Sequence, residues 1–225
     1  RRLFCPRGKM IGGCSAHNGM VFVRGNRNDY ERWENFGLKS WSYEKVLPYF
    51  KKIETWSGGE NQYRGSLGPL PVNQSKNDNP LFKAFINSAS EAGHTVNPDM
   101  NGEEQEGFGM FDTTIHEGQR ASATKYYLNP AKKRKNLNIF SNSFVEKIIF
   151  EGKKAIGIEV KIKNKVEKVY AEKEVILSGG SINSPQLLML SGVGNSDHLK
   201  EKGIDVVSDI KGVGKNLQDH LETYI

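Results

Sequence analysis

Cysteine is scarce, with only Cys5 and Cys14 in 225 residues. Two cysteines cannot build a disulfide framework, and neither is accompanied by the further cysteines and histidines of a zinc site. A reducing compartment is the simpler setting. Long apolar runs are also lacking: none approaches the roughly 20 residues that a spanning helix needs, and no signal-peptide pattern opens the chain. A membrane span is therefore not expected, while surface association stays open. A complete G-x-G-x-x-G with a strand before it and an acid after it does not occur. The chain starts without an initiator methionine, directly in a Gly-rich turn, and stops at HLETYI without a closing element, so it reads as an internal segment of a longer protein.

Positive charge is in modest excess, +6 overall. Such a balance is compatible with nucleic-acid binding only where the charge is clustered. Here the lysines are dispersed. The one dense run, Lys132 to Lys135 (KKRK), follows Pro130 and reads as a solvated connector.

What is abundant is glycine, and its placement organises the chain. Before Asp29, glycines at 8, 12, 13, 19 and 25 suit a loop whose backbone approaches something closely. Apolar spacing predicts helices over 29–36 and 42–54, with Asp29 and Ser42 as N-caps. A short strand is expected at 70–72, and a helix from Asn79 with proline in its first turn and Gly93 near its end. Alternation over 110–116 predicts a strand running into a turn at Glu117 and Gly118. From 136 onward, alternating β-branched residues cut at Gly152 and Asn164 predict several antiparallel strands. They end in an apolar strand, Glu174 to Leu177, then Gly179 and Gly180, then a helix over SPQLLMLSG, the outline of an α/β nucleotide-binding unit. No internal repeat is present.

Taken singly, Gly179-Gly180 and Gly212-Val213-Gly214 are ordinary tight turns. In order, however, RGKMIGGCSAHNGMVFVRGNRNDYERW, GGSINSPQLLMLSGVG and GVGKNLQDH are distinctive. Through these blocks the chain resembles the glucose-methanol-choline (GMC) flavin oxidoreductases over nearly its full length. LPYFKK, NPLF, MNGEEQEGFG, TIHEGQR and LQDHLE bring it nearest to the choline-oxidising branch. The resemblance implies an α/β (α+β) fold: a discontinuous, Rossmann-like FAD-binding domain at 1–75 and 118–225, and a substrate-domain segment at 76–117, incomplete at both ends. It implies FAD as cofactor, choline or another primary alcohol as substrate, and a respiratory quinone or oxygen as acceptor. It further implies a mitochondrial, inner-membrane-associated location or a bacterial one. The family's N-terminal glycine fingerprint would precede Arg1, and its catalytic histidine would follow Ile225, so no catalytic residue is assigned and the segment alone is expected to be inactive.

By the same resemblance Gly12, Gly13, Cys14, Ser15, His17, Asn18, Gly19, Met20 and Val21 lie along the flavin ring. Glycines let backbone amides approach a planar, partly anionic ring, and Asn18 can both donate and accept hydrogen bonds. Cys14 reads as a small packing residue rather than a reactive thiol. Val145 matches the strand position whose backbone meets the adenine, although it is equally an ordinary half-buried strand residue, and Gly180 sits at the turn that passes the cofactor. His17 has two readings: a covalent attachment to the flavin, as in choline oxidases, or a histidine packed beside the ring. Metal ligation would need ligands beyond Cys14 and His17. Glu222 is either a solvated acid or the group that faces a quaternary ammonium, which offers no ordinary hydrogen bond and must be held by charge and aromatic faces. His220 reads as structural, His116 as a strand or turn residue, and His94 and His198 as surface residues. Arg120 and Ser122 frame the return from the substrate segment and are assigned no chemical step. Outside the enzymes, a non-catalytic basic binding module is the remaining alternative.

Overall fold

The computed structural model describes residues 4–223. The chain divides into two compact units, 1–137 and 138–225.

In the first unit, the Gly-rich stretch forms a one-turn 3-10 helix at Gly13–Ala16 and leads into β1 (Val21–Phe22). Helix α1 spans Arg27–Asn35. It begins two residues ahead of the expectation because Asn26, not Asp29, is its cap: the Asn26 side chain accepts from Asn28 N. Helix α2 (Tyr43–Ile53) starts after Ser42 as expected. Tyr30 of α1 and Tyr43 and Val46 of α2 are buried together, with Leu47 and Phe50 packed on them. The Tyr30 and Phe50 rings meet edge to face at 5.8 Å, a favoured aromatic geometry. The chain then enters β2 (Glu54–Trp56) and β3 (Leu70–Gln74), which run parallel. Helix α3 (Pro80–Glu91) is capped by Asn79, whose side chain accepts from Leu81 N.

The strand expected over 110–116 is split in two, β4 (Asp112–Thr113) and β5 (Ile115–His116). The pairing partner changes at Thr114: its N–H still donates to Met20 O, beside β1, at 2.8 Å, while its carbonyl accepts from Ala121 N at 2.9 Å, beyond the far strand of the next hairpin. The expected turn at Glu117 and Gly118 joins β5 to β6 (Gln119–Arg120), both residues having positive φ, as two-residue hairpins require. The sheet order is β1-β4-β3-β2. A π-helical turn at Thr124–Leu128 passes into α4 (Asn129–Ala131), and Lys132–Lys135 follow as an exposed connector.

The second unit is built on an antiparallel meander of β7 (Ser143–Glu151), β8 (Lys154–Ile162) and β9 (Lys165–Tyr170), turning at Gly152 and at Lys163–Asn164 as the sequence pattern predicts. Register shifts after Val145, so that Glu146 is an extra residue in β7, a bulge of the kind that re-aims neighbouring groups. Residues 174–178 form no regular secondary structure and pair with no strand among the described residues, and Ile176 is 76% exposed. The apolar run therefore differs from the buried strand its composition predicts: composition identifies an apolar segment, but a strand also needs neighbours to pair with. Helix α5 (Gly180–Leu190) follows, then β10 (Val193–Gly194), α6 (Ser196–Glu201) and β11 (Ser208–Asp209), with β10 and β11 parallel. Buried Ser191 fastens α5 to the meander: its hydroxyl donates to Leu187 O at 2.6 Å and accepts from Ile148 N at 2.8 Å.

Candidate functional site: a braced glycine-rich wall

The Gly-rich stretch is held in place by residues about a hundred positions further on. Ser15 Oγ donates to Gly12 O at 2.6 Å and accepts from Ala123 N at 2.9 Å. Arg120 Nη1 donates to both the backbone O and the side-chain Oδ1 of Asn18, at 2.6 and 2.7 Å. Met20 takes a left-handed conformation at φ 63°, which costs a non-glycine residue about 1–2 kcal/mol. The donation from Thr114 N to Met20 O helps to hold it there. Gly12 also lies in the left-handed region, at φ 96°, and a Cβ there would stand 2.5 Å from Thr124 Oγ1. That oxygen is buried with no hydrogen-bond partner, so the turn closes over a hydroxyl that any side chain at 12 would strike.

The opposite face of the turn is open. His17 and Asn18 are exposed, and Gly19 has no backbone angle that demands glycine and no atom within 4 Å of where its Cβ would be. Nothing in the fold itself requires glycine at 19. A flat group resting on this backbone would, since a methyl would hold it off. The donors present and this bare strip fit a planar, hydrogen-bonding cofactor of the kind the sequence resemblance implies.

Cys14 differs from the expectation of a packed small residue. It is exposed, and its Sγ accepts from Gly8 N at 3.4 Å. Gly8 lies so close to the turn that a Cβ there would stand 2.4 Å from Gly13 O.

In the second unit, Val145 lines a largely apolar groove of about 450 Å³ together with Leu177, Ser178 and Gly179. Gly180, at φ 85°, opens α5 beside it. One concavity thus gathers the strand position and the turn that the sequence singled out separately. Glu222 is exposed in a stretch of this unit without regular secondary structure. His116 is in β5, edge-on to Tyr126, while His94 packs against the Phe108 ring and His198 is exposed on α6. Among the described residues no group of three His, Cys, Asp or Glu is arranged to hold a metal ion.

A second feature of the first unit escapes sequence reasoning. Arg64 and Glu54 are both fully buried, and Arg64 pairs with Glu54 (3.0 Å), Asp99 (2.6 Å) and Asp112 (2.7 Å), while Arg24 reaches Glu54 at 2.7 Å. The Arg64 guanidinium also lies over the Trp56 ring, 4.3 Å from its centroid. Burial pushes the Arg64 pKa down, yet the hydrogen bonds that Arg64 donates to Glu54 and Asp112 outweigh it and leave the group above its ordinary value. For Arg24 burial wins over the Glu54 charge and the pKa is lowered. Arg24 lies two residues after β1 and Asp112 is in β4, so the network anchors the sheet from which the wall projects.

The GMC oxidoreductase family model matches residues 1–222. The chain belongs to the GMC oxidoreductase family. Within it, the chain is 52% identical over all 225 residues to an oxygen-dependent choline dehydrogenase of Brucella ovis, covering 41% of that protein. It is equally 52% identical to the mitochondrial choline dehydrogenase of Homo sapiens, covering 38% of it. The chain thus spans about two fifths of the length of the curated relatives it matches. A solved FAD-dependent oxidoreductase from Chaetomium thermophilum superposes with a TM-score of 0.88 at 33% identity, over 95% of this chain and 39% of that one. The mixed helix and strand architecture is therefore that of a GMC oxidoreductase.

Proposed function

We propose that the GMC wall at Gly12–Val21 is the rest for the isoalloxazine ring of FAD, and that the whole protein oxidises a primary alcohol, choline, to betaine aldehyde. The observation that carries the cofactor reading is the braced turn with its bare strip at Gly19. The relatives' names support choline. When bound, FAD supplies a hydride acceptor. The chain's own residues hold and orient. Gly12, Gly13, Cys14 and Ser15 form the turn, Asn18 offers its amide, and Gly19, Met20 and Val21 carry the backbone along the ring. Val145 lines the groove that would take the adenosine and pyrophosphate end, and Gly180 directly follows its lining residue Gly179. Segments 1–75 and 118–225 would form the FAD domain and 76–117 part of the substrate domain, with the general base on the alcohol supplied from beyond Ile225.

His17 is proposed as the point of covalent attachment, being exposed at the C-terminal end of the 3-10 turn beside the bare strip. Acid precipitation of the full-length protein checks this. The yellow colour should stay with the pellet, and should wash out of a His17→Ala variant; colour released from the unmodified protein would exclude the linkage.

Glu222 is proposed to face the trimethylammonium head. Glu222→Gln in the full-length enzyme should raise the choline KM by about tenfold, the order expected for losing one charge contact to a partly desolvated cation, with turnover little changed. An unchanged KM would remove Glu222 from the substrate site.

The acceptor is proposed to be a respiratory quinone, with peripheral association at the mitochondrial inner membrane; among the described residues no helix is long and apolar enough to cross a membrane. The name of the Brucella relative favours a second reading, oxygen as acceptor in a bacterial protein. Oxygen-electrode traces with choline and then with simple alcohols separate oxidase from dehydrogenase and choline from other substrates.

A further inference from the structure

We propose that Arg120 is a positioning residue for the cofactor, acting through Asn18; this rests on the reading of the wall as the flavin rest. A primary amide presents two faces, one accepting and one donating, and either can be turned toward a ligand. Here the choice is made by the protein. Arg120 Nη1 stands 2.7 Å from Asn18 Oδ1 and 2.6 Å from Asn18 O. A guanidinium has no acceptor to offer, so the atom facing it must be the amide oxygen. Met20 N adds a further donor to the same oxygen at 3.3 Å. With Oδ1 occupied on two sides, Asn18 Nδ2 is left as the outward group, and it has no hydrogen-bond partner among the described residues. The wall therefore presents a fixed donor at the exposed residue next to Gly19.

Arg120 is itself placed to do this. It ends a hairpin whose two-residue turn, Glu117–Gly118, has positive φ at both positions, and it crosses 102 residues of sequence to reach Asn18. Two donations from one charged nitrogen to one residue hold both the backbone and the side chain of Asn18, and the charge polarises the amide toward stronger donation from Nδ2. A donor fixed at this place favours the electron-rich, reduced form of a bound flavin over the oxidised form.

The test uses the full-length flavin-containing protein and its Arg120→Met, Asn18→Ala, Arg120→Lys and doubly substituted forms. The equilibrium between reduced and oxidised flavin is read by redox titration, with thermal unfolding measured alongside. Arg120→Met and Asn18→Ala should each shift the reduced-to-oxidised ratio at fixed potential about tenfold toward the oxidised form, the order of one charge-assisted hydrogen bond. For a two-electron couple this is about 30 mV. The double substitution should shift it no further than either single one, because both remove the same contact. Arg120→Lys should recover part of the effect. Additive shifts would mean that Arg120 acts by charge alone, and a lowered unfolding temperature with an unmoved potential would make it a structural brace; either overturns the proposal. A colourless protein that takes up no added FAD would overturn the cofactor reading and the role of Arg120 together.

Discussion

Replacing Arg64 by methionine will lower the unfolding free energy of the full-length protein by about 3–5 kcal/mol, the range for breaking a buried ion pair from one side. Methionine keeps the length and removes the charge. What it leaves behind is the cost: Glu54, Asp99 and Asp112, all gathered around one guanidinium, would face each other with only Arg24 for compensation. Arg24 cannot take over, because one of its terminal nitrogens is committed to Tyr63 O and the other to Glu54 alone. Arg64→Lys should also be costly, by more than half as much. An ammonium is a single point charge, whereas the planar fork of Arg64 uses Nε, Nη1 and Nη2 on three different carboxylates. Urea midpoints at constant slope measure both. A loss below about 1 kcal/mol, the scale of a surface pair, would mean that the network does not anchor the sheet.

That network marks where sequence reasoning stops. Its members stand at 24, 54, 64, 99 and 112, with no period and no motif to join them. Local patterns were legible wherever the cause is local. Proline after Asn79 and glycine at 93 delimit α3, and alternation with breaks at 152 and 164 delimits the meander. Asp29 sits nearer than Asn26 to the first apolar residue, so spacing favours it as the cap; only the bond to Asn28 N settles the choice on Asn26. The apolar run at 174–177 does not form the strand its composition suggests, because pairing is a property of neighbours rather than of the run. For the wall, the glycines themselves were legible, and the braces were not. Arg120 and Ser122 stood out only as part of a recognisable segment. That Arg120, Ala123 and Thr124 all reach back to Gly12–Asn18 is long-range topology, invisible to spacing along the chain.

The same topology makes Gly12 the most sensitive position of the wall. Gly12→Ala should destabilise the full-length protein on two separate counts. An alanine at φ 96° pays about 1–2 kcal/mol for the left-handed backbone. Its methyl also lands 2.5 Å from Thr124 Oγ1, and overpacking of this kind costs about 1–3 kcal/mol. The two parts can be separated because only the second depends on Thr124. Thr124→Ala alone removes a buried hydroxyl that has no partner, and should therefore be nearly neutral. Combined with Gly12→Ala it should recover the packing part and leave the backbone part. Recovery of nothing would show that the contact with Thr124 is not what excludes a side chain. Recovery of everything would show that the backbone tolerates alanine. Because Gly12 O accepts from Ser15 Oγ, which in turn receives Ala123 N, relieving the clash by moving the turn breaks the brace at Ser15. The single variant should thus alter the visible spectrum of bound flavin as well as stability, and the double variant should restore the spectrum in proportion to the stability it regains.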